Sequence, residues 1–153
     1  EKSGSLIRLA CYLGYAGVSA FSDETLGLLN ELAKDIGVIA QIENDLKDLL
    51  RFDVKNDLLN KKRTLPVFYM LAIDDEEFLI IKQYYDGVLS RDELLKLKRE
   101  CMQYFQDSGC IEYSRIIQTL YINHAEEIFN SLETFAPWNE RFKEITFGRQ
   151  EAK

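Results

Sequence analysis

From Asp23 to Leu50 the chain runs without a proline, and its apolar residues recur at the three- and four-residue spacing of a single helix face. Ser22 or Asp23 provides the N-cap, with acids in the first turn. A stretch this long and this regular commits the chain to helices. The rest of the sequence agrees, with two prolines and eight glycines in 153 residues and long segments that never meet a breaker. The fold class expected is all-α. With 46% of its residues apolar, the chain is long enough to bury one sizeable core.

The remaining segments read as shorter helices. Residues 3–20 are apolar almost all round, as in a helix buried on most sides, with Gly14 and Gly17 admitting a close neighbour. Residues 51–63, RFDVKNDLLNKKR, are polar and aperiodic and predict a loop. TLPVFYMLAI then opens a helix with Pro66 in its first turn. Asp74 and Glu77 have capping-box spacing ahead of a helix closed by Gly87, and Ser90 and Glu93 repeat it before a helix that stops at Ser108-Gly109. Residues 111–133 give a further amphipathic helix, and Pro137-Trp138 begins a last short one. No repeat or linker marks a boundary, so residues 1–148 read as a single helical domain and 149–153 as a frayed tail.

Composition narrows the function classes. Lys plus Arg number 19 against 26 acids, a net charge of -7 that is the wrong sign for a nucleic-acid binder. Cys11, Cys101 and Cys110 match neither a zinc nor a redox spacing, and His124 cannot complete a metal set with them. They read as buried or half-buried free thiols, which points to a reducing cytoplasm. His124 itself reads as a surface or half-buried helix histidine. No apolar run approaches the ~18 residues of a membrane span, and the start carries no basic leader.

The residues that carry chemistry lie in GVIAQIENDLKDLL, residues 37–50. At 100° per residue, Gln41, Asn44, Asp45 and Asp48 share an arc of about 100° on one helix face. Ile36, Ile39, Ile42, Leu46, Leu49 and Leu50 occupy the adjoining arc, so the polar group lies beside the buried face. Two carboxylates at i and i+3 with amide oxygens nearby are the hard ligands magnesium takes, its other positions left for water and phosphate oxygens. Lys2 opens the first helix, and Lys55, Lys61, Lys62 and Arg63 crowd the loop after the carboxylates, where they could meet a diphosphate. The alternative is an NDxxD string on a solvated helix face, a common feature of acidic chains.

Three segments in order resemble the signatures of the C-terminal half of trans-prenyl diphosphate synthases. KSGSLI at 2–7 is similar to the KT motif, GVIAQIENDLKD at 37–48 to GxxFQIxDDxxD, and DLLNKKRTLPVFYML at 57–71 to DLxxGKxTLP. The likeness covers residues 1 to about 72; beyond that only helical character agrees. Within the family, AQIENDLKDLL looks most similar to the bacterial prenyltransferases that modify the tryptophan of a quorum-sensing pheromone peptide.

The resemblance implies a helical bundle of the isoprenoid-synthase type, here its C-terminal portion, forming a homodimer. It implies a magnesium-dependent prenyltransferase that ionises an allylic prenyl diphosphate and passes the prenyl group to isopentenyl diphosphate or to a peptide. Carried over by position, Asn44, Asp45 and Asp48 are the Mg2+ ligands, Lys2, Ser3, Gln41 and Lys62 bind the diphosphate, and Lys2, Asp45 and Lys62 are the catalytic group.

Two departures matter. Asn44 replaces the first aspartate of the motif and removes one negative charge. The family's first DDxxD is missing, since the only Asp-Asp pair, Asp74-Asp75, continues to Phe78. The expectation that follows is the C-terminal half of a protein about twice this length, inactive alone. The competing functions are a noncatalytic regulatory subunit of a heteromeric synthase and a plain helical interaction module.

Overall fold

The computed structural model describes residues 2–16, 22–52, 56–73, 79–132 and 138–147. Their regular structure is entirely helical: α1 (Lys2–Ala16), α2 (Asp23–Arg51), α3 (Leu65–Ala72), α4 (Leu79–Tyr85), α5 (Arg91–Lys96), α6 (Lys98–Asp107), α7 (Cys110–Ser131) and α8 (Trp138–Thr146). None of these helices is long and apolar enough to cross a membrane. The chain divides into two compact units, one of Glu1–Ala40 with Gln118–Lys153 and one of Gln41–Ile117. The division falls within α2 and within α7.

In the first unit, Leu29 and Leu32 of α2 pack with Ile122, Ala125 and Phe129 of α7, and Phe142 of α8 stacks on Phe129 at 4.5 Å between ring centroids. Helix α1 contributes Cys11, Tyr12 and Tyr15 to this core. Burial of α1 on most sides is not what is found. Leu9 and Leu13 are 52% and 67% exposed, because a single face of α1 meets the core. Among the described residues, Gly14 has no neighbour within 4 Å of its Cβ position, so it serves no close approach to them; Gly17 lies outside the described residues. Asp35, 4% exposed, reaches His124 Nδ1 at 2.6 Å across 89 residues of sequence. His124 is exposed, as its helix position suggested, and it is the partner that makes a buried carboxylate tolerable.

In the second unit, α3 to α6 pack each against the next in chain order. Phe52, Leu58, Leu59, Met70, Ile81 and Phe105 are at the centre of its core. Phe52 ends α2 with a left-handed φ of +39. That conformation costs a bulky residue about 1–2 kcal/mol, and full burial of the ring contributes about 2–3 kcal/mol. The ring, 1% exposed and edge-on to Phe105, therefore decides where α2 stops.

The local stop and start signals operate as their chemistry requires. Ser90 and Glu93 form both bonds of a capping box. After α4, Gly87 takes φ +82, and its amide and that of Val88 bond back to Tyr84 and Gln83, a Schellman ending. The stop at Ser108-Gly109 is also found, whereas Leu97, at φ -92 and ψ 23, splits the helix expected between these signals into α5 and α6. The Asp74–Glu77 pair and residues 148–153 lie outside the described residues. All three cysteines are free; Cys101 and Cys110 are buried and Cys11 half-buried. Burial pushes the Cys101 thiol up to about 12.

One substitution type has opposite effects at two glycines that both have open space around Cβ. Gly27→Ala, inside α2, is expected to stabilise by about 0.5–1 kcal/mol, whereas Gly87→Ala, at positive φ, destabilises by about 1–2 kcal/mol. Chemical denaturation of both variants checks this, and a shift of the same sign at both positions contradicts it.

Candidate functional site

The polar arc of α2 lies within the second unit, and its four members are not equivalent. Gln41 and Asn44 are exposed, Asp48 is half-buried and Asp45 is only 7% exposed. Ile42, Leu46 and Leu49 on the adjoining arc are buried in the protein interior, which draws Asp45 inward with them. Gln41 Nε2 donates to Asp45 Oδ1 at 2.6 Å, one turn away. Asp45 also accepts the main-chain N–H of Leu65, the first residue of α3. Thr64, the N-cap residue of α3, makes no side-chain cap bond.

Residues 56–64 fold back onto the end of α2. Asn56, wholly buried, donates Nδ2 to the main-chain oxygen of Asp48 and accepts the Leu58 amide at 2.8 Å through Oδ1. Asp48 Oδ2 accepts the Asp57 amide at 2.6 Å, and its Oδ1 faces Arg51 at 3.3 Å. The Asp57 carboxylate in turn holds Lys62 Nζ at 2.5 Å. Two tyrosines of α4 fix the other side: Tyr84 donates to Leu59 O at 2.7 Å and Tyr85 to Lys62 O at 2.6 Å. The position that DLxxGKxTLP gives to glycine is Lys61. Its φ is +53, a conformation glycine adopts freely, and its ammonium lies 5.0 Å from the Tyr84 ring centroid.

The electrostatics follow from this packing. Burial pushes the Asp45 carboxyl above the usual carboxylate range, and the negative charges of Asp57 and Asp48 add to it, against the Gln41 and Leu65 bonds. A cation that countered this charge would relieve a real cost. The bond to Asp57 raises the Lys62 ammonium above its ordinary value, and Asp48 and Asp45 act the same way at longer range.

Among the described residues, no group of three His, Cys, Asp or Glu side chains is arranged to hold a metal. Asp45 and Asp48 thus form a pair rather than a cage. Magnesium is commonly held by one or two carboxylates with phosphate oxygens and water completing its shell, and this donor set is compatible with that mode. Lys2 and Ser3 belong to α1, their side chains outside the described set, and Lys55 also lies outside it. Nothing in the sequence spacing marks Asn56, Asp57 and Tyr85 as members of the network. Asp57 stands within the third signature, but no spacing rule links it to Lys62 or Asp48. A groove of about 360 Å3 is lined by Arg63, Phe68, Leu71, Ala72, Lys82, Tyr85 and Asp86, and none of the arc residues lines it.

No protein-family model, curated protein or solved structure matches this chain.

Asp48 has a structural and a chemical use that substitution separates. Asp48→Ala removes the acceptor of the Asp57 amide and is expected to cost about 1–3 kcal/mol, whereas Asp48→Asn keeps an oxygen there and costs under about 1 kcal/mol. Urea denaturation measures both, and equal losses would contradict the role given to Oδ2.

Proposed function

We propose that this protein is a magnesium-dependent prenyltransferase of the isoprenoid-synthase type, or the diphosphate-binding half of one. One observation supports the reading: a buried carboxylate, Asp45, its charge opposed by Asp48 and Asp57, lies on the helix onto which the segment bearing Lys62 folds back. Acid to bind a cation and base to bind an anion are what a metal-bridged diphosphate needs together. The left-handed backbone at Lys61 supports the likeness to the third signature independently, because a glycine there has a physical reason.

In this reading Asp45, Asp48 and the Asn44 amide oxygen hold magnesium, and Gln41 keeps Asp45 oriented. Magnesium bound there supplies positive charge to the departing diphosphate oxygens. Lys62, on the flexible stem of a lysine, meets the outer face of the same group, and Lys2 and Ser3 are assigned to it by resemblance. The work asked of these residues is electrostatic: to stabilise the leaving diphosphate while the allylic carbon becomes cationic. The acceptor is isopentenyl diphosphate or a peptide tryptophan, and the quorum-sensing role follows from the second. A cytoplasmic homodimer completes the proposal.

A second reading, a noncatalytic subunit of a heteromeric synthase, is favoured by the exposed Asn44 in place of an acid and by the absence of a three-ligand group among the described residues.

The test is thermal unfolding of the complete protein with magnesium and an allylic diphosphate such as geranyl diphosphate. A ligand at a hundred times its dissociation constant stabilises by about 2.7 kcal/mol. The expected result is a shift that needs both components, disappears with chelator and is lost in Asp45→Asn. Prenyl transfer by the same sample favours the enzyme; binding without transfer until a second protein is added favours the subunit. No shift with any allylic diphosphate would refute the enzyme.

A further inference from the structure

We propose that Asp57 is a positioning residue that acts through Lys62: its carboxylate keeps the ammonium docked beside the acidic arc, and an arriving diphosphate must draw the lysine away from it. This rests on the reading of the site as a metal-diphosphate site. The Asp57 side chain is not needed to shape the loop. The loop is shaped by main-chain bonds, from Lys62 N to Asp57 O at 2.9 Å and from Lys61 N to Leu58 O at 2.9 Å, and by the Asp57 amide on Asp48 Oδ2. The carboxylate itself serves the lysine, at 2.5 Å from Nζ.

The strength of that hold decides what it can do. The side chains are 61% and 25% exposed, and an ion pair in such surroundings is weak. It fixes a resting place for a long side chain without locking it. A diphosphate, with several anionic oxygens to offer, takes the lysine by charge-assisted bonds that one screened carboxylate does not match. Asp57 therefore competes with the ligand for Lys62 while keeping the lysine near Asp45 and Asp48, whose charges it also feels. Removing the competitor tightens anion binding, and it does so only while Lys62 is present to be released.

The experiment is titration calorimetry of the complete protein with inorganic pyrophosphate at saturating magnesium, on wild type, Asp57→Asn, Lys62→Gln and the double variant. Asp57→Asn is expected to bind about two- to five-fold more tightly, the range of one exposed ion pair. Lys62→Gln is expected to bind about tenfold more weakly or worse. The double variant should equal Lys62→Gln, because Asp57 acts through the lysine. Asp57→Ser, which also removes the charge, should reproduce the gain if the asparagine variant folds poorly. Unchanged or weaker binding in the Asp57 variants overturns the proposal. A gain that persists in the Lys62→Gln background overturns it too, since Asp57 would then act only as a bulk charge. If the wild type itself does not bind, the metal-diphosphate reading falls and this proposal with it; if the wild type binds and Asp57 has no effect, only this proposal falls.

Discussion

The Asp48 carboxylate accepts the Asp57 amide across nine residues, and its main-chain oxygen accepts the Asn56 side chain. These two bonds bring the polar loop back onto the helix it has just left. Without them, the lysines of the loop have no defined relation to the acids of α2. With them, Asp45 reaches the first amide of α3, Asp57 holds Lys62, and the tyrosines of α4 find carbonyls at Leu59 and Lys62. The clasp is local in space and entirely polar, and Tyr84, itself buried, donates to Leu59 O within the same loop.

The arrangement carries visible costs. Phe52 and Lys61 both take left-handed backbone conformations at non-glycine residues, each about 1–2 kcal/mol. Asp45 is buried beside other negative charges, which pushes its carboxyl away from the ionised form. Phe52 recovers its cost by burial, and Lys61 recovers part by placing its ammonium over Tyr84. For Asp45 the Gln41 and Leu65 bonds stand on the other side, and they do not outweigh the burial of its charge.

What could be read from the sequence was what depends on neighbours along the chain. The Ser90–Glu93 capping box, the Gly87 ending, Pro66 at the start of α3 and the extent of α2 are settled within a few residues, and each was legible. The common face of Gln41, Asn44, Asp45 and Asp48 follows from helix geometry alone. Their unequal burial does not, because it depends on how far the adjoining isoleucine and leucine face is drawn into the core. The break at Leu97, the exposed face of α1, the Asp35–His124 contact and the Asn56–Asp57 clasp depend on partners far off in sequence or on packing. Periodicity and spacing carry no information on those.

The most direct measurement of the central claim is an amide NMR titration of the complete protein with magnesium and an allylic diphosphate, added singly and together. Joint addition is expected to move the amides of Asn44, Asp45, Asp48, Asp57, Lys62 and Leu65 together, while either component alone moves them little. Shifts confined to other parts of the chain, or none at saturating concentrations of both, would contradict it.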